Sequence, residues 1–238
     1  PGTIKGTAYY SSSLGTTSAY SYGDGTSYAA PIVAGVATLL YSASYTYDYD
    51  ETSRDARLIK AIIINSADKV SGWDNGQQKT DNVSLTSING TSASYDNVIV
   101  TSQSLDYTYG SGVVNAEEAY KQYVETQTWV VDTVALTESN LYSIGTANVG
   151  DTLTATLTWF EQIFSEVDTR GADYSFSYGD AAFSNLDLEV WLYDAVSDSY
   201  TAIALSDSLY NSVEHLSFTL EESGEYYLRV VFDEMIYG

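Results

Sequence analysis

The chemistry this chain offers is concentrated in one serine, one histidine and two groups of carboxylates. A nucleophilic serine needs an exposed hydroxyl, a base to take its proton, and donors for the oxyanion that follows. Ser27 lies in Gly25-Thr26-Ser27-Tyr28-Ala29-Ala30-Pro31, at the head of an apolar run ending in Val36-Ala37-Thr38-Leu39-Leu40. That run predicts a helix from Ser27 to about Tyr41 that is apolar nearly all round and so buried on every side. Pro31 is expected in its first turn, where a missing N–H costs nothing. A serine at such a start sits beside unpartnered N–H groups and the positive end of the helix dipole. Its neighbours Gly25, Ala29 and Ala30 are small enough to admit a substrate backbone. The same position suits a plain N-cap, so from spacing alone both roles stand.

His215 is the only histidine. Leu216, Phe218 and Leu220 alternate as core residues of a strand, which puts His215, Ser217 and Thr219 on its outer, solvent-facing side. The Ser-then-His order suits an α/β-hydrolase, but that fold's Gly-x-Ser-x-Gly elbow is missing because Ala29 takes the place of the second glycine. Two acidic groups remain: Asp48, Asp50 and Glu51 in a Tyr/Asp-rich loop, and Asn185, Asp187 and Glu189 alternating along a strand. Carboxylates at this density can hold calcium, and equally form a solvated acidic surface. Their spacing is not that of an EF-hand, no metal ligand set is assigned, and no organic cofactor is implied.

These groups must be positioned by a chain of 238 residues with 44% hydrophobic residues and 23 tyrosines, enough for a real core. The net charge of −23, from 9 basic and 32 acidic residues, argues against nucleic acid and anionic membrane surfaces as partners. No apolar run is expected to span a bilayer, so no membrane insertion is expected. The absence of cysteine removes disulfides, thiol catalysis and thiolate metal sites. Few lysines, many Ser, Thr, Tyr and Asp, and a pI near 4.1 lean towards an extracellular protein. The chain opens on Pro1-Gly2 without an initiator methionine, so its true amino terminus is expected upstream.

The pattern changes at about residue 125. Before it, Gly/Ser-rich loops separate the Ser27 helix, a second helix over Ser53–Ala67 with the stripe Leu58, Ile59, Ile62 and Ile63, and a third over Ala116–Tyr123. After it the period falls to two: Leu153, Ala155, Leu157 and Trp159; Leu186, Leu188, Val190 and Leu192; Tyr226, Leu228, Val230 and Phe232. Short alternating strands between Asp/Ser/Gly loops indicate an antiparallel sandwich. Charge divides likewise, with 7 basic and 13 acidic residues in 1–125 against 2 and 19 in 126–238. Two domains follow, 1–125 and 126–238.

A resemblance adds to this. Gly25-Thr26-Ser27-Tyr28-Ala29-Ala30-Pro31-Ile32-Val33-Ala34-Gly35 resembles the nucleophile signature of the subtilisin-like serine peptidases, Gly-Thr-Ser-Met-Ala-Thr/Ser-Pro-His-Val-Ala-Gly. Eight positions agree; Tyr28, Ala30 and Ile32 depart at places that supply no catalytic chemistry. Pro1-Gly2 resembles the end of the Ala-Pro-Gly stretch ahead of that signature. Leu58–Ala67 is similar to the helix that follows it, and Tyr109-Gly110-Ser111-Gly112-Val113-Val114-Asn115-Ala116 to the stretch closing the catalytic domain. Leu153–Trp159, Asn185–Val190, Asn211–His215 and Gly224–Val230 resemble the jelly-roll domain appended to many subtilases, with Met235–Gly238 as the start of a last strand cut short.

The resemblance implies part of a subtilisin-like three-layer α/β domain followed by an all-β jelly-roll-like sandwich. It implies a serine endopeptidase that hydrolyses polypeptides through an acyl-enzyme on Ser27. In subtilases the triad runs Asp, His, Ser, so the Asp, the His and the oxyanion amide are expected upstream of Pro1, and the upstream part of the same domain is the expected partner. An extracellular or cell-surface location is implied, and subtilases and their appended domains often bind calcium. The alternative is a non-catalytic structural or adhesive extracellular protein on a subtilase-derived scaffold.

Overall fold

The computed structural model describes residues 3–5, 9–11, 16–18, 22–126, 128–160, 165–167, 176–178, 182–209 and 211–237, with side chains over 25–126, 128–160, 184–209 and 211–233. Pro1-Gly2 and Gly238 lie outside the described residues. Two short antiparallel pairs come first: β1 (Thr3–Lys5) with β4 (Tyr22–Asp24), and β2 (Tyr9–Ser11) with β3 (Thr16–Ser18).

The helix that carries Ser27, α1, spans Thr26–Thr46, five residues beyond the expected end. Gly25 precedes it at φ 150°, a backbone conformation that other residues rarely adopt. At the far end Tyr49 N–H donates to the Ser44 carbonyl and Asp48 N–H to that of Tyr45, with Asp48 at φ 53°. This is a Schellman closure with an aspartate where glycine is commoner. Pro31 falls in the second turn rather than the first, so the Ser27 carbonyl loses the N–H that would bond it. Nor is α1 buried on every side. Val36, Leu40, Ala43 and Ser44 form the buried stripe, whereas Ile32 (43% exposed), Val33 (37%) and Leu39 (43%) face outward. The described residues supply partners for one face only of an all-round apolar helix. At 21 residues α1 is also long and apolar enough to cross a membrane by length and composition, contrary to the expectation of no such run. A core helix or a secretion signal passes the same test, and here the buried stripe packs into a core.

The second expected helix is divided. Asp50 accepts hydrogen bonds from Thr52 Oγ1 (2.6 Å) and Ser53 N–H (3.2 Å), capping a 3-10 turn over Glu51–Arg54. Asp55, extended at φ −61° and ψ 131°, caps α2 (Ala56–Asn65) through Arg57 N–H at 2.8 Å. Such caps contribute about 1 kcal/mol each, enough to reset the helix start. Leu58, Ile59 and Ile62 are buried with Val36, Leu40, Ala43, Ala119 and Tyr123. Ala119 belongs to α3 (Ala116–Tyr120), which Asn115 caps and a π-helical turn over Lys121–Glu125 prolongs. Gly112, at φ 114°, lies where a Cβ would collide with the Asp68 carbonyl. The close approach allows Asp68 and Val113 to exchange hydrogen bonds of 2.8 and 2.9 Å.

Between α2 and α3 run four strands that the sequence presented as loops: β5 (Gln78–Thr80), β6 (Val83–Thr86), β7 (Ser92–Tyr95) and β8 (Val98–Thr101). After α3 come β9 (Ser139–Ala147), β10 (Thr152–Thr158), the paired β11 (Ser165–Val167) and β12 (Phe176–Tyr178), β13 (Ala182–Asp194), β14 (Ser199–Ser206), β15 (Val213–Thr219) and β16 (Gly224–Tyr237). The alternation read over 152–232 falls on these strands, and Met235-Ile236-Tyr237 continue β16 rather than open a further strand. A six-stranded sheet has the order β5-β8-β14-β13-β16-β9, antiparallel throughout except β8 with β14. Strands from both sides of residue 125 therefore share one sheet. Against one of its faces β10 and β15, themselves paired, lay Leu153, Ala155 and Leu216 onto Leu188, Val190, Ala204 and Tyr226. The other face buries Trp191 and Val98 under the β6–β7 hairpin. The chain is thus a mixed α/β region followed by a β-rich one.

Candidate active site and the buried seam

Gly25, not Ser27, holds the N-cap position, and no side chain caps the helix there. Ser27 is the second helical residue and exposed. The Gly25 carbonyl accepts from Tyr28 N–H (3.1 Å) and Ala29 N–H (3.3 Å), whereas the Ser27 N–H has no acceptor among the described residues. The serine thus presents its hydroxyl, and a backbone donor unpaired among the described residues, at the positive end of a 21-residue helix. Beside it, Ala29, Ile32 and Val33 of α1 line an apolar groove of about 1190 Å³ whose other wall includes Ile63, Val113 and Val114.

His215 is not on the surface. It does point away from Leu216, as alternation requires, but is completely buried because α2 and the 73–77 segment cover that face. The Trp73 ring meets the imidazole edge-on at 5.9 Å, and Asn75 Nδ2 donates to the His215 carbonyl at 3.1 Å. Thr156 Oγ1 lies 2.8 Å from Nδ1, while Nε2 has no hydrogen-bond partner among the described residues. Burial, with the Lys69 cation nearby, pushes the imidazole pKa down to about 3. Lys69 is itself pushed down to about 8 by burial; its Nζ donates to the Ser111 carbonyl at 2.8 Å and lies 4.6 Å from the Trp73 ring centre. None of these partners belongs to α1, so the structure does not bring His215 to Ser27.

The acidic groups are placed separately. Asp48, Asp50 and Glu51 serve helix ends. Glu189 bonds the Trp191 indole N–H (2.7 Å) and pairs with Arg229 (3.3 Å) across β13 and β16. Asp187 lies among other carboxylates. Burial raises its pKa to about 8, helped by Asp233, Asp207, Glu214 and Glu189. Glu214, bonded by Ser206 and Ser208, is raised to about 7, again first by burial. Among the described residues no three acidic or histidine side chains converge as a metal site. Nothing in the sequence pattern singled out Trp73, Asn75 or Gln77, whose partners lie some 140 residues further along the chain.

Compared with known families, residues 1–112 match the model of the subtilase family of peptidases. The match takes in the Ser27 segment, α1, α2 and the stretch up to Gly112. No curated protein matches the chain.

Proposed function

We propose that the chain is the nucleophile-bearing part of a subtilisin-like serine endopeptidase, with Ser27 as nucleophile. The observation that carries this is Ser27 exposed at the head of α1, with no acceptor for its N–H among the described residues, inside a segment that matches the subtilase family. Ser27 Oγ attacks the scissile carbonyl of a polypeptide; a histidine takes its proton, oriented by an aspartate, and returns it to the amine as the peptide C–N bond breaks, leaving the acyl group on Ser27. The Ser27 N–H bonds the oxyanion, and water then releases the acyl group. The base must come from outside this chain, because its only histidine is buried elsewhere with Thr156. We assign the outward apolar face of α1, with Ile32, Val33 and Leu39, as the surface that seats the polypeptide bearing that histidine and aspartate. The β-rich region in this reading is a jelly-roll-like appended domain, and the setting is extracellular or at the cell surface.

The strongly acidic, Tyr- and Ser-rich character of the chain, which holds neither of the other two triad members beside Ser27 among the described residues, favours a second reading, a structural or adhesive protein on the same scaffold. Reading the gene upstream of Pro1 separates them. Aspartate and His-Gly-Thr-type motifs ahead of Pro1, with casein hydrolysis falling on the order of 10^6-fold in Ser27→Ala, support the peptidase. Their absence supports the scaffold, and activity that survives the substitution refutes Ser27 as the nucleophile.

A further inference from the structure

A line of hydrogen bonds crosses the seam between the two regions, and every donor in it points the same way. Glu118 of α3 accepts from Gln122 Nε2 at 3.5 Å; being a carboxylate, it fixes which end of that amide faces it. Gln122 Oε1 is left to accept from Asn65 Nδ2 at 3.1 Å, which turns Asn65 Oδ1 towards β10. There it accepts from Thr156 Oγ1 at 2.9 Å. A hydroxyl has one proton, so Thr156 Oγ1 can meet Nδ1 of His215, 2.8 Å away, only as an acceptor. His215 is thereby held as the Nδ1–H tautomer, and its fully buried Nε2 carries the lone pair. A second clasp lies alongside. Gln77 donates Nε2–H to the Ser217 carbonyl (2.9 Å) and accepts Ser217 N–H (3.1 Å), occupying the edge of β15 as a neighbouring strand would.

We propose that His215 is a proton-operated latch: neutral, it lets β10 and β15 dock on α2 and the 73–77 segment, and a proton taken up at Nε2 undoes that docking. Among the described residues no acceptor lies within hydrogen-bond reach of Nε2. Trp73 presents a ring edge, and Asn75 turns its Nδ2 to the His215 carbonyl while its buried Oδ1 makes no hydrogen bond to the ring. The charged group facing the ring is the Lys69 cation, whose effect opposes a second positive charge. The carboxylates around it are otherwise engaged. Asp74 and Asp106 accept backbone N–H groups of Gly76 and of Asp74, Thr108 and Tyr109. Glu214 bonds Ser206 and Ser208, and Glu118 stands at the far end of the relay. Among the described residues, the hydrogen bond from β10 to the ring is that of Thr156, which ties it to neutral Asn65 of α2. Charging a fully buried imidazole with no acceptor costs more than the seam's few hydrogen bonds return.

Because the histidine is unique, long-range 1H–15N correlation on the 15N-histidine-labelled 238-residue chain reads it without assignment. The expected result at pH 7.5 is the Nδ1–H tautomer, lost to a mixture in Thr156→Val. On acidification the imidazolium signal should appear only together with loss of exchange protection at the Ser217 N–H. An Nε2–H tautomer would overturn the proposal, as would ordinary titration near pH 6.5 with Ser217 still protected. A comparison with His215→Gln cancels the carboxylates. Below about pH 6.5 the seam-opening equilibrium of the unsubstituted chain should gain about tenfold per pH unit over the variant. Parallel pH dependence of the two would overturn the latch, and if the variant does not fold, the spectrum of the unsubstituted chain decides alone.

Discussion

Single residues show where local pattern carries chemistry and where it stops. The setting of Ser27 at a helix start was legible because it depends on neighbours in sequence: a glycine that can reach φ 150°, small residues and a helix behind it. The structure removed the N-cap alternative by giving that position to Gly25. His215 was illegible for the opposite reason. Alternation placed it on the correct side of its strand, but what covers that side comes from residues 73–77 and 65, far away in the chain. Asp187 is another such case, crowded by carboxylates from β16 and from just beyond β14. Its pKa, raised from about 3.9 in an unfolded chain to about 8, means that the fold favours the protonated acid. The stability this gives is fully present below about pH 4 and is lost as pH rises through about 8. Asp187→Asn should therefore raise the melting temperature relative to the unsubstituted chain at pH 8.5, with the gap closing by pH 4.5. A gap that widens towards acid would contradict the assignment.

At the scale of elements, β10, β13, β15 and β16 were readable because their apolar residues recur at a period of two, whereas β11, β12 and β14 were not singled out. Helix ends were less so, since Asp50 and Asp55 break one apolar stripe into a 3-10 turn and a helix through side-chain bonds that hydrophobicity does not encode. The short strands β5 and β8 were hidden among Ser, Asn and Asp. They pair at the edge of a sheet whose centre is built elsewhere. Gly112→Ala tests the close approach that joins the end of α2 to the start of α3. It should destabilise by more than about 1 kcal/mol, read as a lower urea midpoint with unchanged slope, because both the positive φ and the Asp68 carbonyl oppose a side chain. Leu216→Ala, at a fully buried contact between the sheets, should cost about 2–5 kcal/mol.

For the whole molecule, the change of pattern at residue 125 does not coincide with a break in the packing. β8 pairs with β14, Gln77 clasps β15, and Asn65 reaches Thr156 across the seam. One cooperative transition is therefore expected on heating, with calorimetric and van't Hoff enthalpies equal; two resolved transitions would show that the regions fold independently. The same integration makes the outward face of α1 informative, since the β-rich region packs against α2 and leaves that face uncovered. The most direct test of Ser27 as nucleophile is labelling of the gene product that includes the residues upstream of Pro1 with a serine-directed fluorophosphonate, followed by peptide mass mapping. Modification at Ser27, absent in Ser27→Ala and lost on denaturation, is the predicted result; labelling at another serine, or labelling that persists in Ser27→Ala, would contradict it.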